Sequence, residues 1–219
     1  MGNISIDPSK QSRKENYKFL IGSVLPRPTS LVTSKNNSGL INAAPFSFFN
    51  VVCSDPPMIG INCARKPGGV RKDTSLNISQ NGEFVVHIVD EQIVELATQA
   101  AIEFPPNYSE VEEVGFTLEE SHYISVPRIK EAKIQMECKV SQIIEISNKD
   151  GVPSSDFIIG EVVCFHIDET LYHEGRIDTL KLAPVGRLAG FNYTTVENDI
   201  TIPRMNFEEF QKKKEKQNI

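Results

Sequence analysis

The chain has 219 residues, of which 39% are hydrophobic and 24% charged, with a net charge of −6. A chain this long buries most of its apolar surface without a disulfide or metal staple, and its acidic balance excludes a broad nucleic-acid surface, which needs a basic field. No apolar run reaches the length of a signal peptide or a membrane span, so a cytoplasmic protein bound to neither membrane nor nucleic acid is expected.

Residues 1–16 read as an N-terminal arm. Its MGNISI start only partly matches a myristoylation pattern, because Ile6 stands where Ser or Thr is needed. TSLVTS (29–34), KNNSG (35–39) and LINAAP (40–45) read as strand, turn and strand. PPMIGINCA (56–64) is a further strand after a double proline. DTSLNISQNG predicts a short helix capped by Asp73 or Thr74 and ended at Gly82, and EFVVHIVD (83–90) a strand. DEQIVELATQAAIEF predicts a helix that starts at Asp90, presents Ile93, Leu96, Ala97 and Ala100 on one face, and stops at Pro105–Pro106.

The clearest alternation follows. Ala132, Ile134, Met136, Cys138 and Val140 interleave with Lys133, Gln135, Glu137 and Lys139, which turns one face inward. The loop NKDGVPSSD then leads into FIIGEVVCFHI (157–167), predicting two long antiparallel partners. FEEFQKKKEKQNI (207–219) reads as a terminal helix with a solvated lysine run. Many short strands with peripheral helices predict a mainly β protein, an antiparallel β-barrel in one domain.

Cys53, Cys63, Cys138 and Cys164 lie far apart in apolar segments with no CxxC, so they read as buried free thiols of a reduced compartment. His87, His122, His166 and His173 form no HExxH, and His166 in CFHID reads as a satisfied structural histidine; no metal site is expected. No nucleophile elbow supports a hydrolase, and no GxGxxG follows a strand, which excludes a dedicated Rossmann domain.

Two segments carry more chemistry. RKPGGVRKDTS (65–75) places Arg65, Lys66, Arg71 and Lys72 before a helix start, where unpaired N–H groups and partial positive charge suit a phosphate. Asp73 would repel that anion unless its carboxylate turned away, and an ordinary capped helix after a basic loop fits the same residues. In NAAPFSFFN (42–50), Pro45 cannot donate to a ladder, so strand pairing is expected to break there. Ala43 and Ala44 let a flat ligand approach the main chain, Ser47 offers a hydroxyl, and the phenylalanines offer walls. A core strand with an edge proline is the plainer alternative.

PRPTSLVTS, GLINAAPFSFFN, DPPMIGINCAR, KDTSLNI, GEFVVHIVD and APVGRLAGFNY, in this order across residues 17–195, resemble the flavin reductase-like, FMN-binding split-barrel family. The resemblance implies a Greek-key antiparallel split barrel over 17–196, with a part-helical C-terminal extension over 197–219. It implies that the loop Asn42–Ser47 wraps an isoalloxazine ring, with main-chain groups near Ala44 and Phe46 and the Ser47 hydroxyl on its polar edge. By the same resemblance Asn62, Cys63 and Arg65 lie near the ribityl chain and phosphate. Lys72, Asp73 and Thr74 match the family's KDT, with Lys72 and Thr74 as phosphate ligands, and Arg187 falls near the flavin. A homodimer with FMN near its interface is implied too. The resulting expectation is an FMN-dependent oxidoreductase that passes electrons from NAD(P)H to an acceptor or a partner oxygenase. The alternatives are an FMN carrier or sensor without robust turnover, or a barrel for another ligand such as haem.

Overall fold

The computed structural model describes residues 2–105 and 107–217. Met1, Pro106, Asn218 and Ile219, which fall in the predicted arm, helix stop and tail, lie outside the described residues. Helix α1 (Arg13–Ser23) and strand β1 (Arg27–Pro28) lead into two hairpins, β2 (Ser30–Lys35) with β3 (Ile41–Phe46) and β4 (Phe49–Ser54) with β5 (Pro57–Ala64). Helix α2 (Asp73–Asn81), β6 (Glu83–Ile88), α3 (Val94–Gln99) and α4 (Glu110–Val114) follow. The short pair β7 (Leu118–Glu119) and β8 (Arg128–Ile129) precedes the long hairpin β9 (Ile134–Ser147) and β10 (Pro153–Ile167). The pair β11 (Tyr172–His173) and β12 (Arg176–Ile177), α5 (Thr179–Leu182), β13 (Gly186–Arg187), β14 (Tyr193–Thr194) and α6 (Phe207–Gln217) complete the chain.

Seven strands form one antiparallel sheet in the order β3-β2-β6-β9-β10-β5-β4, and β1, β13 and β14 form a small second sheet. The large sheet contributes to more than one buried cluster, and one of them draws on all seven strands. Val32 of β2, Ile59 and Ile61 of β5, Phe84 and Val86 of β6, Met136 and Cys138 of β9 and Ile158 and Val162 of β10 pack together, joined by Phe46 of β3 and Phe49 of β4. Ile78 of α2 plugs this core with no exposed surface. Burying a side chain such as Phe84 or Ile78 contributes about 1.5–3 kcal/mol. Glycine is required at the C-terminus of α2, where Gly82 holds φ 70° and donates its N–H to the Ile78 carbonyl.

Several expectations change. Pairing does not break at Pro45: Leu31 opposes Pro45 and Ser30 opposes Phe46 in continuous register. The reason is that β3 is an edge strand, so the missing N–H of Pro45 costs no ladder bond. The predicted helix from Asp90 shrinks to Val94–Gln99, because the Asp90 carboxylate instead makes a turn by accepting from the N–H groups of Gln92 and Ile93. The cap of α2 is Lys72, without a side-chain cap bond, and Asp73 and Thr74 are already helical. All four cysteines are free, yet Cys53 and Cys164 are only half-buried. Alternation in β9 holds for Ile134, Met136 and Cys138, but Gln135 and Glu137 are buried too, because the 120–133 segment covers the other face. Among the described residues no helix is long and apolar enough to cross a membrane.

Candidate functional site

The sequence folds 42–50 into an edge strand, a bend at Ser47–Phe48 and the start of β4. On the outer edge of β3, the Ile41 carbonyl accepts from Ser109 Oγ at 2.7 Å, and the Ala43 N–H donates to Glu110 Oε2 at 3.2 Å. Main-chain groups alternate along a strand, so Ile41, Ala43 and Pro45 face outward and Ala44 and Phe46 face β2. Pro45 has no N–H, which leaves Ser47 as the next residue free to donate from this edge.

Two adjoining hollows open at that bend. One, of about 450 Å³, is walled by Leu20, Val24, Phe48, Phe49 and Phe157, with Ser47, Asn50 and Asn62 as polar points. The other, of about 430 Å³, runs past Tyr17, Ile21, Pro45, Phe46, Arg187 and Tyr193. They share Arg27 and Ser47, and together make a cleft of the size and apolar character of a cofactor site. Gly60 lies at its floor. A Cβ there would come within 2.6 Å of the Phe157 ring, so only glycine leaves the ring lying flat.

Arg27 is the residue at this site that sequence reasoning missed. It is 6% exposed, yet among the described residues no carboxylate pairs with it. Its Nη1 donates to the carbonyls of Ile21 and Val24 at the end of α1, and its Nη2 to the carbonyl of Leu188, but among the described residues Nε has no partner. Thr29 Oγ1, also on the cleft, is buried without a partner among the described residues. Burial pulls the Arg27 guanidinium below its ordinary value, yet an arginine stays charged. A buried cation with an unused donor is costly unless something electronegative reaches it. The helix that orients it was legible from one signal. Ser12 and Glu15 form a reciprocal capping box, with Ser12 N to Glu15 Oε2 at 2.8 Å and Glu15 N to Ser12 Oγ at 3.2 Å.

The second group of predicted residues lies along β5 and at the start of α2. Cys63 is buried in the core, and burial pushes its thiol up to about 12, so it is an inert core residue. Arg65 is committed inward: its guanidinium binds Asp156 (Nη2 to Oδ1, 2.5 Å), Glu145 (2.7 Å) and the Gly69 carbonyl (3.1 Å). Asp156 is fully buried and also accepts from Arg71 Nε and Ser75 Oγ. This cluster ties the RKPGGVRK loop and the first turn of α2 to β10. Lys72 stays exposed at the helix start, and Asp73 beside it is exposed as well. The Thr74 hydroxyl donates to Asn42 Oδ1 at 2.8 Å, and Asn42 Nδ2 donates to Glu110 Oε1 at 2.8 Å. Burial raises the Glu110 carboxyl above its ordinary value, and Asp73 adds to the rise. Asn42 and Asp73 open onto a separate hollow of about 310 Å³.

Thus Pro45, Phe46, Ser47, Asn62 and Arg187 meet at the cleft. Lys72, Asp73 and Thr74 sit at the helix start, linked to β3 through Asn42. Asn42 to Ser47 spans five strand residues, on the order of 15 Å. Arg187 stacks on the Tyr193 ring at 4.5 Å and donates to the Gly190 carbonyl at 2.7 Å. A larger hollow of about 930 Å³ lies by the far end of the β9–β10 hairpin. Its charges largely satisfy one another, as in Lys133–Asp90 and Arg128–Glu119, and it lacks an aromatic slot.

Residues 21–181 match the family model described as a flavin reductase like domain. The chain is 50% identical over 190 residues to an uncharacterized Halalkalibacterium halodurans protein, covering 87% of this chain and 91% of the other. Among solved structures it is similar to nitrilotriacetate monooxygenase component B from Bacillus cereus, with TM-score 0.90 and 45% identity over 92% of this chain and 100% of that one. It is also similar to the 2-nitrobenzoate 2-nitroreductase of Pseudomonas fluorescens, with TM-score 0.83 and 37% identity over 93% and 98% of the two chains.

Proposed function

The chain belongs to the flavin reductase-like family, and from that premise we propose that it is an oxidoreductase that binds FMN in the Arg27–Ser47 cleft and uses NAD(P)H as electron donor. The observation that carries this reading is the buried Arg27 Nε, without a partner among the described residues, with Thr29 Oγ1 in the same state on the same largely apolar cleft. A flat heterocycle with an electronegative edge suits that combination of donors and walls. When bound, FMN accepts a hydride and passes electrons on.

The residues of the chain bind, orient and shield. Phe48, Phe49 and Phe157 supply walls, and Gly60 keeps the Phe157 ring low. Ser47 and Arg27 would hold the ring's polar edge, and the Arg27 charge would favour the electron-rich reduced state, since reduction adds negative charge. Leu20 and Val24 of α1 cover one side and limit water. The phosphate would be held at the start of α2 by main-chain N–H groups and Lys72. Thr74 supports that seat through Asn42 rather than by its own hydroxyl hydrogen. Arg65 shapes the seat through Asp156. Tyr17, Leu20, Val24 and Phe48 are substantially exposed beside the cleft, which suits a homodimer that covers it. The acceptor is a small oxidant or the flavin of a partner oxygenase, a reading supported by the resemblance to a monooxygenase component B.

The test is anaerobic mixing of FMN-loaded protein with NADH or NADPH. Rapid bleaching of the flavin absorbance is expected. Tight FMN binding without bleaching by either nucleotide would replace the reductase by a carrier or sensor.

A further inference from the structure

A second cluster of reactive side chains lies where β10 meets the loop between β7 and β8, away from the cleft. His166 is nine residues further along β10 than Phe157 (166 − 157), roughly 30 Å at the rise of a strand. His122, Cys164 and His166 each offer a ligand atom, and these atoms lie within 4.8 Å of one another. We propose that these three side chains bind a divalent transition-metal ion of the zinc class, with a fourth position left open.

One buried carboxylate organises the group. Glu137 is fully buried on β9 and accepts from the N–H of His122 at 2.7 Å, the N–H of Tyr123 at 2.7 Å and His166 Nε2 at 2.6 Å. It therefore fixes both the loop that carries His122 and the ring of His166. A neutral imidazole that donates Nε2–H to a carboxylate keeps its lone pair at Nδ1, so His166 is held in a tautomer ready to ligate. Carboxylates behind histidine ligands serve this purpose at zinc sites. The rings of His122 and His166 meet edge to face, with centroids 4.8 Å apart. Among the described residues neither ring nitrogen of His122 has a hydrogen-bond partner, and the Cys164 thiol makes only a 3.8 Å contact with a carbonyl.

The donor set fits the ion. Two imidazoles and a thiolate are the ligands zinc prefers, and three protein ligands with an open fourth position is an arrangement it commonly adopts. Tetrahedral bond lengths put zinc ligands about 3.3–3.8 Å apart, so the cluster must tighten by about 1 Å. His122 is exposed and free to swing in. The ligands come from a loop and a strand 42 residues apart (164 − 122), so no sequence motif announces them.

The probe is Co²⁺, then Zn²⁺, added to the full chain after chelator treatment and followed by absorbance. We expect one Co²⁺ per chain with a thiolate-to-metal charge-transfer band, displaced by Zn²⁺. Cys164→Ser should abolish the band, and His122→Ala, at an exposed position, should weaken binding at least tenfold. FMN titration of both variants should match the wild type, which separates this site from the cleft. Absence of saturable binding, or a band that survives Cys164→Ser, or affinity unchanged in His122→Ala, would overturn the proposal. These outcomes do not depend on whether the cleft binds flavin.

Discussion

Asp156→Ala probes how the α2 seat is held. The carboxylate is fully buried and accepts from Arg65, Arg71 and Ser75, while the Arg65 side chain is only 7% exposed. Removing the anion leaves a buried guanidinium whose remaining partners are Glu145, itself half exposed, and the Gly69 carbonyl. Breaking a buried pair on one side costs about 3–5 kcal/mol. For a chain of this size that is roughly a 6–20 °C fall in Tm. Replacing both partners, Arg65→Met with Asp156→Leu, should recover most of the loss, because the charges left without a partner, Arg71 and Glu145, are partly exposed to water. Burial opposes ionisation of Asp156, but hydrogen bonds from Arg65 and Ser75 and the nearby arginine charges outweigh it, so its carboxyl sits below the ordinary value. The stability this adds is present above the unfolded value of about 3.9 and is lost as pH falls through the lower folded value. Scanning calorimetry of the three proteins at neutral pH and near pH 3 measures it. A fall in Tm below 2 °C for Asp156→Ala at neutral pH, or a difference that grows in acid, would refute the reasoning.

Other outcomes follow from the same geometry. Gly60→Ala should push the Phe157 ring into the cleft, costing about 1–3 kcal/mol of stability and weakening FMN; adding Phe157→Leu should restore both in denaturant and flavin titrations. Lys72→Ala with Thr74→Ala should weaken FMN at least about tenfold, a change of 1.4 kcal/mol, while leaving riboflavin, which has no phosphate, unchanged by fluorescence titration. His87 is buried and neutral between the Leu31 carbonyl and the Ile129 N–H, and burial lowers it to about 4. The unfolded chain therefore binds its proton first, so stability falls as pH drops from about 6.5 toward 4, and urea midpoints of His87→Gln should show a shallower fall. Ellman's reagent should label the half-buried Cys53 and Cys164 in the folded chain and spare Cys63 and Cys138, which are buried out of its reach.

Much of the sheet was legible because its strands carry local signals. The KNNSG turn, the alternation over Ile134–Cys138 and the Gly82 stop each act within a few residues, and β2–β3, β9–β10 and the end of α2 appear where those signals put them. Pro45 misled because its effect depends on whether β3 is an edge strand, which only the finished sheet decides. Asp90 misled because Asp caps turns as readily as helices. The cleft was half visible: 42–50 supplies one wall, but α1 and Arg27 supply the other. Apart from Ile21, α1 buries none of its side chains, so it lacks a clear apolar stripe, and nothing local marks Arg27 as buried. Glu137 shows the same limit, since an alternating strand gives no hint that a loop will cover its polar face.

The most direct measurement is a calorimetric titration of apoprotein with FMN and, separately, riboflavin. One FMN per chain, bound at least tenfold more tightly than riboflavin and weakened by Arg27→Gln, is the predicted result. No heat with either ligand, or equal affinity for both, would contradict a cleft that seats the ring and a helix start that seats the phosphate.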